Sequence, residues 1–155
     1  MSNNNKNVSM KNFKLVLLVI GFIIISQSGV LAQTQNVWKS LSEVSYKISE
    51  DQFGELYVPV FSANITKLEG KVVEADGYII PFEGMFKPEH IILSSLPLAE
   101  CFFCGSGGPE TVMEVMLSSP IKYTSNRVKV RGKLTLNSKD PEKLMYILKD
   151  ATLVN

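Results

Sequence analysis

The sequence predicts a mainly β protein, a small five-stranded barrel with short helical segments on its N-terminal side. Three observations carry that prediction. After Lys71 the chain falls into five short apolar runs rich in Val, Ile, Leu and Tyr, separated by Gly, Pro, Asn and Ser. One of them alternates without a break: Arg127, Lys129, Arg131 and Lys133 interleave with Val128, Val130, Gly132 and Leu134. Such a strand has one basic face and one buried face. Finally, the connections are short and show no regular strand–helix repeat.

The chain begins with a targeting signal. Lys6, Lys11 and Lys14 meet no acidic residue before Glu43, and the apolar run Leu15 to Ile25 follows. Polar Ser26, Gln27 and Ser28 come next, then Val30-Leu31-Ala32 ahead of Gln33. That order of basic, apolar and small-residue regions is a secretory signal spanning residues 1–32, with cleavage expected after Ala32. The apolar run falls short of the roughly 20 residues that span a bilayer. An uncleaved anchor over Phe13 to Ala32 is the alternative, and it is the only membrane contact the sequence suggests. No cysteine stands at the cleavage point, which argues against a lipoprotein. The expected location is therefore the periplasm or the exterior.

Residues 33–69 form an extension expected to pack on the barrel, and residues 70–155 form the barrel itself. Trp38, Leu41 and Val44 recur three apart, as on one face of a short helix, while Val44 to Ile48 can also alternate as a strand. Gly54 and Pro59 break the chain, and Phe61, Ile65 and Leu68 return to helical spacing before Gly70. The first barrel strand is Val72 to Ile80, closed by Pro81, with Gly77 read as a bend or bulge. His90 to Ser94 is the second and Thr111 to Leu117 the third. Arg127 to Leu136 is the fourth, and Asn137 to Pro141 is a turn. Leu144 to Leu153 suits a strand better than a helix, because it follows a strong strand and a tight turn.

Five strands, the first bent at a glycine, indicate a closed or half-closed antiparallel barrel of the oligonucleotide/oligosaccharide-binding (OB) type. The connection Ser118 to Asn126 is too short for the helix that many OB barrels carry there.

Several stretches together resemble a known family. They are Leu68-Glu69-Gly70-Lys71, Gly77-Tyr78-Ile79-Ile80-Pro81, Cys101-Phe102-Phe103-Cys104-Gly105 with Gly108-Pro109-Glu110, and Val130-Arg131-Gly132-Lys133-Leu134. The chain over residues 38–154 resembles a family of small exported bacterial proteins of unknown function. The resemblance implies an envelope protein with an OB-like barrel and supplies no activity.

The chemistry is concentrated in the Cys101-to-Gly105 loop, which holds both cysteines of the chain. Three readings compete there. As a metal knuckle, two thiolates separated by two residues face one ion, and the following glycine permits the turn that wraps it. His90 is then the third ligand, and Glu100, Glu110 or Glu114 the fourth; sulfur and imidazole suit zinc or copper. As a structural disulfide, the pair closes only four residues. Chain entropy then gives about 2 kcal/mol, against about 3 for a fifteen-residue loop. Export still places both cysteines where disulfides persist. As a redox dithiol, the pair needs a stabilised thiolate, commonly from a helix start just after the motif. Here glycines, Pro109 and a strand follow, so this is the weakest of the three. Gly105 in place of histidine excludes covalent haem attachment.

The remaining candidates are thinner. Gly105, Gly107 and Gly108 could form an anion-holding nest, but they lack the lysine and helix of a phosphate loop. The basic strand face could meet nucleic-acid phosphates. Without the three signal lysines, however, 13 Lys and Arg stand against 15 Asp and Glu. A slightly acidic exported chain fits a solvated face and no nucleic-acid partner. Phe102 and Phe103 are expected to anchor the loop by burying at least one ring. No serine lies in a nucleophile-elbow setting, and the single histidine has no visible catalytic partner, which argues against an enzyme. What remains is a binding module for a metal ion or an envelope partner.

Overall fold

The computed structural model describes residues 36–52, 54–81 and 88–154. The expected signal segment and its cleavage point lie outside the described residues. Among the described residues there are seven strands and two short α-helices. Helix α1 (Val37–Leu41) starts where the Asn36 side chain accepts the Trp38 backbone N–H at 3.2 Å. Strands β1 (Ser45–Asp51) and β2 (Gly54–Val60) follow, then helix α2 (Ala63–Thr66), whose first turn is capped by Ser62 Oγ. The barrel strands are β3 (Val72–Ile80), β4 (His90–Ser94), β5 (Val112–Leu117), β6 (Val128–Leu136) and β7 (Tyr146–Leu153).

The barrel closes in the order β3-β4-β5-β7-β6, with β6 returning to β3. This is the mainly β, OB-like architecture expected from the strand pattern. Its all-antiparallel form is corrected, because β5 and β7 run parallel. Parity requires it: around a ring of five strands, directions cannot alternate at every step. The misfit falls between the third and fifth strands, since β6 crosses to pair with β3 and the β6–β7 hairpin brings β7 back beside β5.

Gly77 stands where β3 changes partners. Val72 to Gly77 pair with β6, whereas Tyr78 to Ile80 pair with β4. A Cβ on Gly77 would lie 2.2 Å from the Ser94 carbonyl oxygen, so only a residue without a side chain allows this approach. A second irregularity lies at β7. Arg131 opposes Thr152 and Lys133 opposes Lys149, which leaves Asp150 and Ala151 facing the single residue Gly132. The extra residue is accommodated by Asp150 at φ 52°, as in a β-bulge.

The interior combines Ile79, Leu93, Met113, Val130, Leu134 and Leu148. Helix α1 shares this core: Trp38 and Leu41 are buried in it, Trp38 Nε1 donates to the Asp76 carbonyl at 2.8 Å, and Tyr146 Oη donates to the Leu41 carbonyl at 2.7 Å. On β6 the predicted alternation holds, with Val130, Gly132 and Leu134 inside and the basic side chains outside. Two of those cations meet acids of β3. Arg127 bonds Asp76 at 2.6 Å and lies over the Tyr78 ring, and Arg131 bonds Glu74. The basic stripe is thus partly neutralised within the barrel wall.

The N-terminal segment departs from its expected form. Gly54 and Pro59 do not end an element; they belong to a two-stranded hairpin in which Ser45 pairs with Val60 and Asp51 with Gly54. Gly54 adopts φ 123° next to the turn, a conformation that favours glycine. Pro59 is tolerated because a two-stranded sheet has outer edges that need no amide donor.

Candidate functional site

The cysteine loop is a folded turn pinned by its own backbone. After the 3₁₀ turn Leu98–Glu100, the Cys101 carbonyl accepts both Cys104 N–H at 3.2 Å and Gly105 N–H at 2.8 Å. The Glu100 carbonyl accepts Gly107 N–H at 3.0 Å. Gly105 lies so close to the preceding turn that a Cβ would stand 2.5 Å from the Ala99 carbonyl oxygen. The amides of Gly105 and Gly107 are therefore spent on carbonyls, and the Glu110 carboxylate crowds Gly108. This leaves the three glycines of the expected anion nest without two of its donors.

The bond from Cys104 N–H to the Cys101 carbonyl closes one backbone turn and brings the two cysteines together. Cys101 is buried and Cys104 is exposed. Desolvation by the loop, then the charge and hydrogen bond of Cys101, push the Cys104 thiol above its ordinary range. A thiolate that the fold disfavours is a small fraction of the thiol at neutral pH, and the reduced form gains nothing that would make the disulfide easy to break. Alkylation of Cys104 in the reduced protein is expected to have its pH midpoint above the ordinary thiol value of about 8.5. A midpoint at or below that value would contradict the disfavoured thiolate.

Neither phenylalanine is buried, contrary to expectation. Phe102 and Phe103 are both about 40% exposed and meet edge to face, with ring centroids 5.1 Å apart. The pinned backbone holds the loop, so it needs no buried ring as an anchor.

The other candidate ligands are distributed elsewhere. His90 Nε2 lies 3.0 Å from Glu114 Oε2, across the β4–β5 pair. The other Glu114 oxygen accepts Leu144 N–H at 2.6 Å. Glu110 accepts the Tyr46 hydroxyl at 3.3 Å, and Glu100 sits in the 3₁₀ turn ahead of Cys101. Among the described residues, no group of three or more His, Cys, Asp and Glu side chains is arranged to hold a metal. Cys101 and Cys104 are brought together; His90 and Glu114 form a separate pair.

Glu114 emerges as an anchor that sequence reasoning valued only as a spare ligand. It is 8% exposed and ties the β6–β7 connection to the barrel through Leu144. Glu114→Ala is expected to cost about 2 kcal/mol, because it strands a partly buried amide, and Glu114→Gln less, because it keeps an acceptor. Denaturant unfolding checks this, and equal losses in the two variants would contradict the anchoring role.

A groove opens beside the loop. It encloses about 320 Å³ and is lined by Tyr46, Leu56, Tyr57, Phe102, Pro109 and Met145, with the Asn137–Leu144 turn as its rim. The turn is rigid: Asn137 Nδ2 donates to the Asp140 carbonyl at 2.7 Å, and Lys143 bonds Asp140 at 3.0 Å. Those contacts, the Lys143 hydrogen bond foremost, hold the Asp140 carboxyl below its usual range. By the hairpin register, Tyr46, Ile48, Tyr57 and Pro59 share one face, and Ile48 and Tyr57 are more than half exposed. In OB barrels the loop between the fourth and fifth strands borders the ligand site, and here that loop is the groove's rim. Sequence reasoning missed the groove because it did not foresee the hairpin.

Fold and loop define a small OB-like barrel module bearing a cysteine turn and an apolar groove. No family model matches the chain, and no curated protein does. Among solved structures the chain is similar to a DUF3299 family protein from Pseudomonas aeruginosa PAO1, with 15% identity and a TM-score of 0.43. The similarity covers 57% of this chain and 64% of that one, less than two thirds of its length. A likeness this slight assigns neither family nor activity.

Proposed function

We propose that the chain is an exported binding module of the bacterial envelope, without enzymatic chemistry, that takes an apolar segment of a protein partner into the groove beside the cysteine loop. Cys101 and Cys104 form a disulfide there, and it fixes the Phe102 wall of the groove. Two cysteines joined by one backbone turn, with no third ligand grouped with them among the described residues, carry this reading. Export supplies the oxidising setting that a small disulfide loop needs. Aromatic side chains exposed along one hairpin face extend the apolar surface beyond the cavity, which suits a protein partner better than a small molecule. A chain that is slightly acidic once its expected signal is removed, and whose arginines are already paired with acids, has little to offer nucleic acid.

Zinc or copper on the same two sulfurs is the second reading. It is favoured by the same turn but requires further ligands from a partner or solvent. One experiment separates the two. Protein recovered from the envelope without reductant is mapped by mass spectrometry, and its metal content is measured in wild type and Cys104→Ser. The proposal expects Cys101 linked to Cys104 and sub-stoichiometric metal in both proteins. Free thiols with one equivalent of metal in the wild type alone would overturn it in favour of the metal.

A further inference from the structure

The two cysteines of the loop differ in access, although one backbone turn joins them. Cys101 has no exposed surface, whereas Cys104 is exposed at the tip of the turn. The backbone around them has little freedom to invert that arrangement. The Cys101 carbonyl holds two amides, and Gly105 and Gly107 abut the backbone of Ala99 and Glu100. A disulfide-bearing reagent approaching the folded protein therefore meets only Cys104. The second sulfur is already in place behind it.

We infer that Cys104 is the entry sulfur through which the loop disulfide is installed by thiol–disulfide exchange, and that Cys101 is the resolving sulfur. This rests on the disulfide reading above and adds the order of attack. In the first step the Cys104 thiolate attacks one sulfur of an oxidant of the disulfide class. The Cys104–reagent S–S bond forms, the reagent's own S–S bond breaks, and its other half leaves as a thiolate that takes up a proton. In the second step Cys101 gives its proton to solvent and attacks Cys104 Sγ. The Cys101–Cys104 bond forms and the remaining half of the reagent leaves as a thiolate. Two protein thiols are oxidised by two electrons, and one disulfide is reduced to two thiols. The same asymmetry makes Cys104 the sulfur that a reducing thiol attacks when the loop is opened.

Glutathione disulfide is the probe, applied to the reduced, folded full chain. Cys101→Ser is expected to accumulate a stable glutathione adduct on Cys104, because the resolving sulfur is gone. Cys104→Ser is expected to form an adduct on Cys101 at least about tenfold more slowly, and to do so readily only in denaturant. Because removing a buried thiol can disturb the fold, wild-type protein is also treated with a limiting amount of iodoacetamide and mapped. The label is expected on Cys104. First labelling of Cys101, or equal adduct rates in the two folded variants, would overturn the order of attack. Wild-type protein that stops at a Cys104 adduct would instead overturn the resolving step, and with it the disulfide reading.

Discussion

Gly77→Ala is expected to lower the stability of the folded chain by about 3 kcal/mol, at the upper end of what overpacking costs. The new Cβ would lie 2.2 Å from the Ser94 carbonyl oxygen and 2.9 Å from its carbon. Both are backbone atoms of β4, so no side chain can swing aside. Relief requires β3 to part from β4 at Tyr78 and Ser94, the residues that begin their pairing. For the same Ala substitution at Gly108 the nearest atoms are those of the Glu110 carboxylate, the end of a flexible side chain, and the expected cost is far less. Denaturant unfolding of the two variants checks the contrast. A loss below about 1 kcal/mol at Gly77, less than overpacking ordinarily costs, would contradict the close approach.

Trp38→Ala is expected to cost about 4 kcal/mol, in the range for emptying a large buried aromatic site. Helix α1 has five residues, too few to hold itself together in water, so burial must hold it. Trp38 and Leu41 lie in the barrel core, the indole bonds the Asp76 carbonyl, and Tyr146 bonds the Leu41 carbonyl. Loss of the indole removes both the packing and the donor. Trp38→Phe keeps most of the apolar area and leaves the Asp76 carbonyl without that donor, at an expected cost of about 1–2 kcal/mol. Equal losses for the two variants would assign the effect to the hydrogen bond. A loss under about 1 kcal/mol for Trp38→Ala would mean that α1 is not part of the core.

Whether an element was legible in the sequence depended on whether the barrel buries one of its faces. β6 shows strict alternation because its inner residues are enclosed and its outer ones solvated, and β3 shows its partner change as an internal glycine. The parallel β5–β7 pair left no local trace, since strand direction in a ring follows from the count of strands. The β1–β2 hairpin was obscured for the opposite reason. Both its faces stay largely exposed, so Leu56, Tyr57, Val58 and Pro59 run together without alternation, and Pro59 looks like a break.

The site was legible as a motif and illegible as a geometry. The Cys-x-x-Cys spacing does set the two cysteines one backbone turn apart. His90 and Glu114 are 24 residues apart, and Tyr46 and Glu110 are 64 apart. Those pairs are fixed by strand register and by how the hairpin lies against the loop, which no local spacing encodes. The groove draws on three separate segments and could not appear before the fold did. The exposed pair also inverted the expectation that at least one ring of Phe102 and Phe103 would be a buried anchor.

The central claim is that the Cys101–Cys104 disulfide shapes one loop of a barrel that does not depend on it. Amide hydrogen exchange, compared between oxidised wild-type protein and Cys104→Ser, tests it most directly. The account predicts faster exchange at Phe102 to Gly107 in the variant, with β3 to β7 essentially unchanged, since a four-residue closure contributes only about 2 kcal/mol. Unchanged exchange in the loop, or loss of protection throughout the barrel, would contradict it.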